Sequence, residues 1–263
     1  MTKMKLTNAI TTCVENSEKA FVPYIMAGDG GLDKLKKDIL FLQEIGVTAI
    51  ELGIPFSDPV ADGPVIQAAG ERALSEGVTL RRVLETIRAF KDEITVPIVL
   101  MTYLNPIIAY GIDVFVDDCV ASEVSGVIIP DLPLEESSFV KPAFEKGEIA
   151  LVPLVSLTSP VERIKKIVAE GEGFIYAVTV NGITGVRNSF GRTLDNHLQR
   201  LKSLSPVPVL AGFGISTAQQ VQTIGASVDG VIVGSAIVQA LHEGAYERVE
   251  ELVNATREVA LKK

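Results

Sequence analysis

The sequence predicts a single (β/α)8 TIM barrel with an N-terminal capping helix, one domain over residues 1–263. Three observations carry this reading. Eight short apolar, β-branched runs recur along the chain, with amphipathic helical segments between them. These runs are apolar on both faces, as strands of a buried parallel sheet must be. The 263 residues fit one such barrel, which takes about 250. A doubly wound open sheet is the rival, but no G-x-G-x-x-G turn follows the first run.

The elements follow in order. A leading helix near 4–16 is placed to cap the barrel bottom. "AFVPYIM" (20–26) is the first strand. In "LDKLKKDILFLQEIG" (32–46), Leu35, Ile39, Leu42 and Ile45 make one apolar helical stripe, and Gly46 stops it. Strands are then expected near "VTAIEL" (47–52), "PIVLMTY" (97–103), "GVIIP" (126–130) and "ALVPLV" (150–155). The last three are "FIYAVT" (174–179), "PVLAG" (208–212) and "DGVIVG" (229–234). No Ser/Gly-rich linker or low-complexity tract interrupts the series. Two strand-to-strand intervals are long: about 50 residues after the second strand and about 34 after the sixth. Barrel active sites are built from loops at the C-terminal strand ends, so the added length predicts functional loops there. The second interval holds "NGITGVRNSFGR" (181–192), read as a lid.

Bulk properties narrow the function. Hydrophobic residues make up 47%, enough for a large core, and the net charge is -9. That charge argues against a nucleic-acid or anionic-membrane surface. An anionic small ligand stays open, because backbone N–H groups bind phosphate without a basic surface. The N-terminus has no long apolar stretch, and no apolar run reaches membrane-spanning length. Cys13 and Cys119 have no metal-ligand spacing and suggest a reducing cytoplasm. His197 and His242 fall in helical patterns and read as solvated positions, with no cluster for zinc.

Two glycine motifs end the last two strands, "AGFGIS" (211–216) and "VGSAIV" (233–238). These are the strands after which barrels bind phosphate, through loop amides and a helix N-terminus. No lysine lies in any predicted strand, which disfavours Schiff-base chemistry. Carboxylate acid–base work remains. The stretch "ELGIPFSDPVADGP" (51–64) offers three carboxylates. Glu51 ends a strand, where its side chain can enter the barrel mouth, and burial can tune it toward a pKa of about 6–7. The other reading of Glu51 is a polar packing residue. Asp62 can fold back over the mouth. Asp58, before a proline, reads as turn chemistry.

These pieces resemble the tryptophan synthase alpha subunit family. The matches are "FVPYIMAGD", "IELGIPFSDPVADGPVIQ", "GITG", "GFGIS" and "GSAIV", in this order over essentially the full length. The resemblance implies cleavage of indole-3-glycerol phosphate to indole and glyceraldehyde 3-phosphate, with Glu51 and Asp62 as the catalytic pair. It implies Phe21, Met101, Tyr176, Thr184 and Phe213 around the substrate. Gly185, Gly214, Gly234 and Ser235 would hold the phosphate. It implies no cofactor in this chain and a pyridoxal-phosphate (PLP) β subunit as partner in an α2β2 complex. That contact would use Pro55, Phe56, Ser57, Asp58, Pro59, Asn105, Pro106, Asp131 and Pro133. Two features depart from many relatives: the turn "GDGG" (28–31), and Val180 before the lid. The rivals are another phosphate-binding barrel isomerase, a silent scaffold that activates the partner, and a free-standing indole-glycerol-phosphate lyase.

Overall fold

The computed structural model describes residues 2–156, 158–179, 188–212 and 214–261. The strands among them are β1 (Ala20–Met26), β2 (Ile50–Gly53), β3 (Ile98–Met101), β4 (Gly126–Ile128) and β5 (Ala150–Leu151). They continue with β6 (Leu154–Ser156), β7 (Ile175–Val178), β8 (Val209–Gly212) and β9 (Gly230–Val233). The helices are α1 (Thr2–Glu15), α2 (Leu32–Glu44), α3 (Pro64–Ser75), α4 (Leu80–Phe90), α5 (Leu104–Tyr110) and α6 (Ile112–Ala121). After them come α7 (Lys141–Gly147), α8 (Val161–Ala169), α9 (Asn188–Leu204), α10 (Ala218–Gly225), α11 (Ser235–Glu243) and α12 (Tyr246–Leu261).

All recorded pairings are parallel, in the order β5-β4-β3-β2-β1-β9-β8-β7-β6. The two ends of this order are one stretch of chain. β5 pairs with β4 and β6 with β7, and only Val152 and Pro153 lie between them. The ladder carries across the break: Val152 N–H donates to Val127 O at 3.0 Å, and Tyr176 N–H donates to Pro153 O at 3.0 Å. Pro153 has no N–H to give on the β7 side, so that pairing begins at Leu154. The run 150–156 is therefore one stave, and the sheet closes into the expected eight-staved barrel.

Register fixes which side chains share a face. Tyr24 stands level with Glu51, Glu51 with Val99, and Gly53 with Met101. Farther round, Leu154 aligns with Tyr176, Tyr176 with Leu210, and Val178 with Gly212. At the bottom this face is lined by small residues, with Ala20 level with Gly230 and Gly126 level with Ala150. α1 supplies the missing bulk. A Cβ on Gly126 would lie 3.1 Å from Leu6 Cδ2, and one on Gly173 only 2.7 Å from it. Leu6 and Ile10 are fully buried. The predicted capping helix thus fills the narrow end of the barrel.

The long interval after β2 is mostly helix rather than loop. Only residues 54–63 are irregular before Pro64 opens α3, where its fixed φ and missing N–H suit the first turn. Thr79 then caps α4 by accepting from Arg82 N–H. In the lid stretch, Asn188–Arg192 already belong to α9. Residues 181–187 lie outside the described residues.

Candidate active site

Glu51 sits inside β2 and is almost fully buried. Neither carboxyl oxygen has a hydrogen-bond partner among the described residues. Burial, and after it the charge of Asp62, raises its pKa from 4.5 to about 8. A buried carboxyl with no donor favours its neutral form. Glu51 therefore enters neutral pH protonated, with its proton uncommitted to any neighbour described.

Asp62 reaches the same site from the loop after β2. That loop folds back through a turn in which Asp62 N–H donates to Pro59 O at 3.1 Å. Gln67 Nε2, one turn into α3, donates to Asp62 O at 2.8 Å. Burial lifts the Asp62 carboxyl from 3.8 to about 6, and a hydrogen bond from Tyr103 pulls the other way. Near neutrality the site holds one acid and one carboxylate, the arrangement that separates proton donor from charge stabiliser.

The walls are aromatic and apolar. Tyr24 and Tyr176 are buried, and the charges of both Glu51 and Asp62 act on each. Two glycines make room for them. A Cβ on Gly53 would fall 1.9 Å from the Tyr24 hydroxyl, and one on Gly212 would fall 2.4 Å from the Tyr176 hydroxyl. Met101 shares the interior face at the level of Gly53.

Phe21 is a correction to the sequence reading. Three residues before Tyr24, it lies on the opposite face of β1, and its N–H donates to Thr48 Oγ1 at 3.1 Å. It borders a cavity of about 520 Å3 at the lower end of the strand, with Cys13 and Thr48, and does not face Glu51. Strand alternation supplies the reason: only residues of Tyr24's parity point inward. The wall position predicted for Phe21 belongs to Tyr24. His197 also differs from the expected solvated position, being half-buried with its Nε2 buried and without a partner among the described residues. His242 stays largely exposed, its Nδ1 3.7 Å from Asp29. No group of side chains suited to a metal ion occurs among the described residues.

Toward β8 and β9, Gly214 adopts φ +77, a left-handed conformation natural to glycine. Gly234 and Ser235 open α11, and no side chain caps that helix end. Its N-terminal amides suit an anion. Thr184, Gly185 and Phe213 lie outside the described residues, as does Val180.

The same face carries the loops predicted to meet a partner. Pro55 is buried, Phe56, Pro59 and Pro106 are half-buried, and Ser57, Asp58, Asn105, Asp131 and Pro133 are exposed. Ser57 Oγ donates to Asp58 Oδ2 at 2.6 Å, an exposed contact between neighbouring residues. Exposed Val60, Ile108 and Phe139 lie on this loop set or close to it in sequence. A cavity of about 530 Å3 touches the mouth at Ala61, Leu154 and Val178 and extends past Phe144 and Ile167. Glu51 does not line it.

Sequence reasoning missed two side chains, Tyr24 and Tyr103. The alternation of β1 could have located the first. Tyr103 has no signal of its own, because its importance comes from a loop that folds onto it.

Known proteins resemble this chain closely. A family model described as "Tryptophan synthase alpha chain" matches residues 10–262. The tryptophan synthase alpha chain of Bacillus cereus (strain ATCC 10987 / NRS 248) is 49% identical over 249 residues, covering 95% of this chain and 96% of that one. The crystal structure of tryptophan synthase subunit alpha from Legionella pneumophila str. Paris superimposes with a TM-score of 0.88 at 32% identity. That match covers 98% of this chain and 99% of that one. An open form of tryptophan synthase from M. tuberculosis gives 0.84 at 34% identity, over 97% and 96% of the two chains.

Proposed function

This chain belongs to the tryptophan synthase alpha chain family, lyases of tryptophan biosynthesis, and from that premise we propose that it cleaves indole-3-glycerol phosphate. The products are indole and glyceraldehyde 3-phosphate, and residues 1–263 act as one catalytic domain. One observation carries the reading. Glu51 is a buried carboxyl with no described hydrogen-bond partner, protonated at neutral pH, beside an Asp62 that is ionised there.

The steps balance without a cofactor in this chain. Protonated Glu51 gives its proton to indole carbon 3, and positive charge spreads onto the ring nitrogen. Ionised Asp62 accepts a hydrogen bond from the ring N–H and stabilises that charge. The resulting Glu51 carboxylate takes the proton of the hydroxyl on the adjoining glycerol carbon. The carbon–carbon bond then breaks, its electrons return to the ring, and the oxygen-bearing carbon leaves as the aldehyde. Glu51 ends protonated, ready for the next cycle.

Tyr24, Tyr176 and Met101 line the substrate pocket, joined by Phe213 and Thr184. Gly214, Gly234 and Ser235 hold the phosphate with Gly185, drawing on the α11 N-terminus. Indole then passes to a PLP-dependent β subunit that docks on the loops around Pro55–Pro59, Asn105–Pro106 and Asp131–Pro133 in an α2β2 complex. The setting is the cytoplasm. Among the described residues no helix is long and apolar enough to cross a membrane.

An indole-release assay on the purified chain, with and without a β subunit, tests the proposal. Slow release alone and faster release with the partner is the expected result. No indole under either condition sinks it in favour of an isomerase or a silent scaffold. Full activity unaffected by the partner points to a free-standing lyase.

A further inference from the structure

Tyr103 stands just past β3, buried, where three βα loops meet. Its hydroxyl accepts a hydrogen bond from Ala61 N–H at 2.9 Å. A phenol has one proton to donate, and the Asp62 carboxyl, on the residue after Ala61, is the neighbour whose pKa this hydroxyl pulls down against the effect of burial. The ring packs on Phe56, with centroids 5.3 Å apart. One side chain therefore grips the 54–63 loop near both its ends. The next residue, Leu104, donates its N–H to Asp131 Oδ1 at 2.9 Å, which joins the loop after β4 to the start of α5.

We propose that Tyr103 is a positioning residue for Asp62: it aims the carboxylate over the barrel mouth and ties the loop after β2 to those after β3 and β4. The role assigned to its hydroxyl rests on the proposed use of Asp62 in the reaction. A donor aimed at a carboxylate favours the charged form and opposes the effect of burial. Without it, Asp62 loses both its orientation and part of its ionisation at neutral pH. The loops tied together here include the predicted partner contacts, so a shift on that face has a covalent and hydrogen-bonded route to Asp62.

Tyr103→Phe removes the oxygen and keeps the ring against Phe56. Two measurements are made on the full chain. One is indole release as a function of pH in the presence of a β subunit. The other is a carbon-detected NMR titration of the Asp62 carboxyl, assigned with Asp62→Asn. The proposal expects kcat to fall about tenfold or more with a much smaller change in KM. It also expects the acid limb and the Asp62 titration to move upward together. An unmoved Asp62 titration overturns it. So does an activity loss that merely follows a lower Tm, with the pH profile unshifted. If the parent chain releases no indole, the proposed reaction fails, and the carboxyl titration still decides the role of Tyr103.

Discussion

Glu51 is held protonated by burial, and this has a thermodynamic consequence. In the folded chain it keeps its proton up to about pH 8, whereas an unfolded glutamate releases it near about 4.3. Between these values the unfolded state binds fewer protons, so Glu51's effect is to lower folded stability as pH rises, levelling off above pH 8. Glu51→Gln removes that dependence. The variant is expected to match the parent near pH 4.5 and to exceed it above pH 8, by on the order of 4 kcal/mol. Urea unfolding at the two pH values measures this, and equal stability at both contradicts the burial argument. Gly53 gives a second prediction at this scale. The added methyl of Gly53→Ala meets the Tyr24 hydroxyl at 1.9 Å, so Tyr24 must move. A cost of about 1–3 kcal/mol in stability is expected, together with impaired indole release.

At the scale of elements, α1 is a plug as well as a cap. Leu6 fills space that glycines at 126 and 173 leave open. Leu6→Ala is expected to cost about 2–4 kcal/mol in urea unfolding, while the assay at 25 °C shows near-normal turnover because the mouth lies at the other end. The loop after β2 divides differently. Asp58 is exposed and bonded to its neighbour Ser57, so Asp58→Ala is expected to weaken activation by the β subunit and spare the isolated chain. Equal loss in both refutes that separation. The strands, and the place of Glu51 in one of them, were legible because apolar runs are properties of neighbouring residues. The helical filling of the interval after β2 was less so. Phe21 was misplaced because an aromatic in a fully buried strand reads the same on either face, and only register with β2 separates it from Tyr24. Tyr103 depends on a long-range fold-back, which no local pattern encodes.

The whole molecule sets two carboxylates of opposite protonation in one mouth. β2 fixes Glu51 in a stave of a closed barrel, and a loop brings Asp62 over it. Such a pair gives a bell-shaped pH profile for kcat/KM. Activity rises as Asp62 ionises near about pH 6 and falls as Glu51 deprotonates near about pH 8. Asp62→Asn is expected to remove the acid limb along with most of the rate. The most direct measurement of the central claim is indole release from indole-3-glycerol phosphate by the Glu51→Gln chain beside the parent, across this pH range. The expected result is no detectable turnover by the variant at any pH, with circular dichroism unchanged. Near-normal turnover by Glu51→Gln would contradict it.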